Sequence, residues 1–192
     1  MKNRILTLTI LLFIGGILTN ISAKTIKVSS LKELSQYTTQ SNVKVKLIPG
    51  IYKIADYLTA DSIQAKISRK DYSYLNFSGS NNLFDMEGVH IKIDTELREL
   101  LKFPIHTNEI LVTGNENELK GLKITCVGNG LSPGGATLEV AGSNNTIKNF
   151  DITVRGSFPY GYGDLFGKGG PDVIRHKKQS GFLITGSHTK VI

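Results

Sequence analysis

The sequence predicts an all-β chain wound as a right-handed parallel β-helix (a solenoid) with a short N-terminal capping helix. Three observations lead there: a Gly-centred motif occurs four times, an alternating strand follows it in three of the copies, and all variation in spacing falls at one place in the repeat. The motif reads apolar, any, apolar, small, Gly, at Leu75–Gly79, Ile110–Gly114, Leu138–Gly142 and Phe182–Gly186. Self-similarity of this kind is the signature of stacked repeats. An antiparallel sandwich also uses short alternating strands, but it does not predict four in-register copies of one motif.

Each element of the repeat has a physical reason. Five residues after each Gly stands another apolar residue, namely Phe84, Leu119, Ile147 and Val191. The following strands are Val89–Ile93, Leu122–Cys126 and Phe150–Val154, and they alternate with period two, as a strand with one buried face must. Their inward set is apolar in every copy, with Cys126 in register with Ile93 and Val154, so this only cysteine is expected to be a core residue. Their outward set is mostly polar, and His90 belongs to it. The repeated Gly is expected to turn the chain through positive φ. Three residues beyond it come Asn82, Asn117 and Asn145, which would either ladder from one coil to the next or simply favour the turn.

The Gly-to-Gly spacings are 35, 28 and 44 residues, and the excess lies in Asp94–Glu109, Gly128–Ala136 and Arg155–Ser180. Insertions at one position of a stacked repeat emerge on one side. They would form a wall of loops bordering a cleft.

Before the repeat, Ser30 and Glu33 fit a capping box, and Leu31, Leu34 and Tyr37 recur at helical spacing, so residues 30–41 are expected to cap the N-terminal end. Val43–Leu47 alternates as a strand, Pro49-Gly50 turns it into Ile51-Tyr52, and residues 55–74 read as an extra loop and an irregular first coil. The last copy stops just after Val191 with no cap, so residues 24–192 are expected to be the N-terminal part of a longer β-helix domain, truncated at the C-terminus.

Residues 1–23 read as a secretory signal peptide: Lys2 and Arg4, an apolar run from Ile5 to Leu18, then Ser22-Ala23 at the cleavage position. A retained anchor is the competing reading, since the apolar stretch nearly reaches the length of a short span. Cleavage leaves 169 residues, enough for one domain, and loss of Lys2 and Arg4 lowers the net charge from +7 to +5. A secreted, periplasmic or cell-surface location follows. A modestly basic exported protein suits an acidic polysaccharide or an anionic envelope, although solubility alone accounts for the charge equally well. Scattered lysines on an exported chain do not suggest nucleic acid. No membrane span is expected after cleavage, and a monomer is expected.

With these features in place, residues 25–192 resemble the pectin lyase-like superfamily of right-handed β-helix proteins. The resemblance is carried by the signal peptide, the capping helix, Leu47-Ile-Pro-Gly-Ile-Tyr52, and the Gly-Ser-Asn-Asn turns at Gly79–Asn82 and Gly142–Asn145. It implies the architecture and a carbohydrate-related role; the superfamily spans lyases, hydrolases, epimerases, esterases and adhesins, and no catalytic signature of one family is present.

The richest insertion is Arg155–Ser180. Phe158, Tyr160 and Tyr162 would stack on sugar rings or, equally, pin the loop. Lys168, Arg175 and His176, with Lys177 as a substrate contact, supply the residue types that neutralise a uronate carboxylate and remove its α-proton. Asp164 and Asp172 would serve as the two carboxylates of hydrolysis or contribute to a Ca²⁺ site. A solvated basic loop without a catalytic role fits the same residues. His106 and His188 lack metal-ligand spacing. The leading expectation is a polysaccharide lyase-like enzyme acting on an acidic glycan. The alternatives are a glycoside hydrolase of the same fold and a non-catalytic polysaccharide-binding or adhesion rod.

Overall fold

Alternating sequences become strands when one face has something apolar to bury against, and here each repeat provides that surface for the next. The structure, a computed structural model, describes residues 24–97, 108–128, 135–154 and 180–192. The elements run β1 (Thr25–Val28), α1 (Leu31–Tyr37), β2 (Lys44–Leu47), β3 (Gly50–Lys53), α2 (Ile54–Tyr57), α3 (Ala60–Ser68), β4 (Leu75–Phe77), β5 (Leu83–Asp94), β6 (Ile110–Val112), β7 (Glu118–Val127), β8 (Ala136–Val140), β9 (Thr146–Lys148), β10 (Asp151–Thr153), β11 (Ser180–Ile184) and β12 (Lys190–Val191). The chain is thus predominantly β. Residues 1–23, read as a signal peptide, and the insertions' central residues lie outside the described residues.

Every strand pairing among the described residues is parallel, which excludes the antiparallel sandwich. One sheet runs β1-β2-β5-β7-β9-β12, with β3 on β5 and β10 on β7; the other runs β4-β6-β8-β11. The repeat positions stack as the sequence implied. Val45, Phe84, Leu119, Ile147 and Val191 form one column. Leu75, Ile110, Leu138 and Phe182 form a second, and Phe77, Val112, Val140 and Ile184 a third. Ile93 pairs with Cys126, which is buried. Phe77 and Phe84 meet edge to face across the interior at 4.7 Å between ring centres, joining the two sheets.

The glycines act differently from the sequence expectation. Gly79, Gly114, Gly142 and Gly186 do not adopt positive φ; that conformation falls two residues later, at Asn81, Glu116, Asn144 and His188. The repeated Gly is required by close approach instead. A Cβ on Gly114 would collide with the Gly79 carbonyl oxygen, on Gly142 with that of Gly114, and on Gly186 with that of Gly142. Positive φ at glycine occurs at Gly88 and Gly121 (77° each), where β5 and β7 bend into two limbs. Asn149 takes the same conformation (φ 49°) between β9 and β10.

The asparagines do ladder, through the backbone. Asn82 Oδ1 accepts from Val43 N–H at 2.9 Å, Asn117 Oδ1 from Asn82 N–H at 3.2 Å, and Asn145 Oδ1 from Asn117 N–H at 2.9 Å. Their Nδ2 groups donate to the carbonyls of Gln40, Gly79 and Gly114, each at 2.9 Å. All three side chains are buried, so each bond spares a backbone group that water cannot reach.

At the N-terminal end, α1 forms as expected, with Leu31 and Leu34 buried. Its cap departs from the simple box. Ser30 Oγ accepts from Glu33 N–H at 3.1 Å, but Glu33 Oε2 accepts from Ser29 N–H at 2.6 Å rather than from Ser30. These backbone and hydroxyl bonds from Ser29 hold the Glu33 carboxyl below its ordinary range. Two helices, α2 and α3, occupy much of the 55–74 stretch expected as an extra loop and an irregular first coil: Thr59 Oγ1 caps α3 by accepting from Ser62 N–H at 3.3 Å, while Ile63 and Lys66 turn inward. The stretch occupies the same place in the repeat as the other insertions, between a second limb (β3) and a strand of the smaller sheet (β4). Among the described residues, no helix is long and apolar enough to cross a membrane.

Candidate functional site

All the insertions are rooted at one corner, between the second limbs of the larger sheet and the strands of the smaller one. The outward faces nearest that corner are therefore where loops and sheet can act together. Phe158, Tyr160, Tyr162, Asp164, Lys168, Asp172, Arg175, His176 and Lys177 all lie outside the described residues, as does His106. His188 is placed at an exposed turn, remote from the second limbs in the repeat.

The two limbs of the larger sheet present different outer faces. On the first, ion pairs recur up the stack, although Lys27 and Lys46, and Lys120 and Lys148, are also register partners. Lys46 Nζ lies 2.9 Å from Asp85 Oδ2, Lys120 Nζ 3.5 Å from Glu87 and 3.9 Å from Asp85, and Lys148 Nζ 3.0 Å from Glu118. Burial alone would raise the Asp85 carboxyl. The Lys46 bond, the Glu87 N–H and the Lys120 charge together outweigh it and hold Asp85 below the usual carboxylate range. Each acid of this face, Asp85, Glu87 and Glu118, is thus paired, while Lys27 and Lys44 make no ion pair among the described residues; the face reads as structural.

On the second limb, two opposed lysines both lack an acid partner among the described residues. Its register sets Ile51 against His90, His90 against Lys123 and Lys123 against Asp151 in one column. The next column sets Lys53 against Lys92, Lys92 against Thr125 and Thr125 against Thr153. Neighbouring strands lie about 4.8 Å apart, so Lys53 and Lys92 face one another as like charges. Neither makes an ion pair among the described residues. Like charges directly opposite each other are destabilising, and an anion seated between them removes that penalty.

His90 stands beside this pair. Its Nε2 is 2.9 Å from Thr125 Oγ1. Partial burial, with Lys123 and Lys92 close by, pushes the imidazole below its ordinary pKa, so it is neutral at physiological pH. In the tautomer that donates Nε2–H to Thr125, Nδ1 keeps a lone pair that can take a proton. Lys123 is 3.1 Å from Asp151, both half-exposed, so this pair can open to a ligand at small cost. His90 reads from sequence as an ordinary outward residue; the signal that could have singled it out is its place among outward lysines at positions 92 and 123, together with Lys53 on the preceding strand.

The smaller sheet's outer strip is more self-contained. Thr113 Oγ1 donates to Asn76 Oδ1 at 2.9 Å, Thr185 Oγ1 to Glu139 Oε1 at 2.6 Å, and Asn108 Nδ2 to Glu139 Oε2. Among the described residues, no group of three or more His, Cys, Asp or Glu side chains is arranged to hold a metal ion.

No family model matches the chain, and no curated protein is significantly similar to it. Its parallel sheets are compatible with a β-helix-like fold.

Proposed function

We propose that this chain is an exported right-handed parallel β-helix of the pectin lyase-like kind, cleaved after Ala23, and that it acts on an acidic polysaccharide by β-elimination. The β-helix reading draws on three limbs per repeat, two parallel sheets and constant register. The observation that carries the function is the Lys53–Lys92 like-charge pair beside a neutral His90, at the roots of the insertions. Elimination from a uronate needs cations to neutralise the carboxylate and a neutral base for the α-proton, and these residues are of that type. Phe158, Tyr160, Tyr162 and Lys177 would hold the sugar from the adjoining insertion, while Lys168, Arg175 and His176 would add cationic and acid–base groups.

Hydrolysis through Asp164 and Asp172, and plain adhesion through the same loop wall, are the competing activities. The full chain should be screened against acidic and neutral glycans. β-Elimination predicts unsaturated products absorbing in the ultraviolet from acidic glycans only, with the rate falling at least a hundredfold in His90→Ala. New reducing ends without that absorbance would make the protein a hydrolase. Binding without cleavage would leave an adhesion rod and sink the catalytic reading.

A further inference from the structure

A cleft of about 340 Å³ opens between α1 and α3 above β4, within the size range of small-ligand sites. It adjoins a second depression of about 400 Å³, and the two share Arg69, Asp71 and Asn76. It lies at the N-terminal end of the insertion wall and contains none of the residues of the second-limb face.

The polar groups of this cleft are unevenly spent. The Lys66 side chain is only 9% exposed, and its ammonium makes one bond, to Asp71 Oδ2 at 2.6 Å. An ammonium has three donors, so two are left without an acceptor among the described residues. Asp71 has no such spare capacity facing the cleft: Oδ2 takes Lys66, and Oδ1 accepts from the Ser73 hydroxyl at 2.8 Å and its N–H at 3.3 Å. Burial would raise the Asp71 carboxyl, but the Lys66 and Ser73 bonds outweigh it, so Asp71 stays ionised. Arg69, at the shared rim, has no ion pair or hydrogen bond to the described residues through its guanidinium, although it brings five donors in a planar fork. Asn76 uses its oxygen on Thr113 and leaves its Nδ2. The cleft therefore offers unused N–H donors from Lys66, Arg69 and Asn76, with two cations against one acid. A buried ammonium with two open donors is costly unless something accepts from it.

We propose that the α1–α3 cleft is an anion-binding subsite, in which Lys66 and Arg69 grip the carboxylate of an acidic sugar unit and Asn76 donates to a neighbouring hydroxyl. The preference for an oxyanion comes from the donors in the cleft; the choice of a sugar as its carrier rests on the function proposed above. Tyr57 closes one side of the cleft and supplies an aromatic surface for the ring.

The test is calorimetric titration of the full chain with a uronate trisaccharide, the corresponding neutral trisaccharide and inorganic sulfate. The uronate is expected to bind, the neutral sugar is not, and Arg69→Gln is expected to weaken the uronate about tenfold or more. Arg69 is exposed, so that variant should fold normally; Lys66→Met, checked by circular dichroism, should weaken binding further. Equal affinity of the native chain and Arg69→Gln for the uronate, or for the charged and neutral sugars, overturns the subsite. Binding of sulfate alone overturns the assignment to a sugar. If polymers are neither bound nor cut while Arg69-dependent uronate binding persists, the proposed function fails and the subsite stands; the converse result removes the subsite alone.

Discussion

Asn117, 1% exposed, ties three repeats together with one side chain and one N–H. Its amide donates to Gly79 O and accepts from Asn82 N–H, while its own N–H donates to Asn145 Oδ1. Replacing it by Ala leaves one buried N–H and one buried carbonyl unpaired, at roughly 1–3 kcal/mol each. Asn117→Ala should therefore lower unfolding stability by about 2–5 kcal/mol, read from urea melts by circular dichroism. Gly114→Ala should be worse, because the new Cβ meets backbone rather than a side chain that can move. A loss below about 0.5 kcal/mol in either variant would contradict the ladder and close-approach assignments. The sequence showed where these residues recur but not why. Asn at a turn has two ordinary explanations, and only the bond partners, 35 and 28 residues away, decide between them. Gly likewise suggests positive φ, whereas the constraint is a carbonyl belonging to the preceding repeat, which no local pattern reveals.

Among the elements, the strands were legible because alternation is local and burial enforces it, whereas α3 was not. It is nine residues long, and one of its inward residues is Lys66, which reads as surface until Asp71 pairs with it. The outer face of the second limb was half legible: its lysines are visible in sequence, but their juxtaposition depends on register between repeats. On the first limb, the ion pairs of Asp85 make a pH prediction. Asp85 has its pKa depressed in the folded protein, so its contribution is present above the unfolded value and is lost as pH falls through and below about 4. Asp71 acts in the same direction. The native chain should thus lose stability on acidification over that range. Asp85→Asn should lower stability at pH 7 by about 0.5–1 kcal/mol, because Lys46 and Lys120 lose their shared partner in a half-exposed setting, and should flatten the acid limb. Melting temperatures measured from pH 3 to 7 check this; parallel curves for the native chain and the variant would show that Asp85 carries none of the dependence.

On the scale of the whole molecule, the repeat separates two tasks. Columns of apolar residues and buried asparagines hold the stack, and one corner, where every insertion is rooted, is free to vary. That corner is bordered by Lys53 and Lys92, which oppose each other in register with neither in an ion pair among the described residues, whereas Lys46, opposed to Lys27 on the neighbouring limb, is paired with Asp85. The distinction has a measurable consequence. Lys53→Gln/Lys92→Gln should leave the fold intact and raise stability slightly, by about 0.2–1 kcal/mol at low ionic strength, because the repulsion is removed. The gain should shrink in about 1 M salt, where the screening length falls to about 3 Å. The same variant should bind acidic polysaccharide about tenfold more weakly in a co-sedimentation assay. A surface lysine kept only for solubility would show the small stability change without the loss of binding. A loss of both stability and binding would mean that the pair supports the sheet. Only the combination of higher stability and weaker binding indicates lysines positioned against one another to receive an anionic ligand, a trade of stability for function.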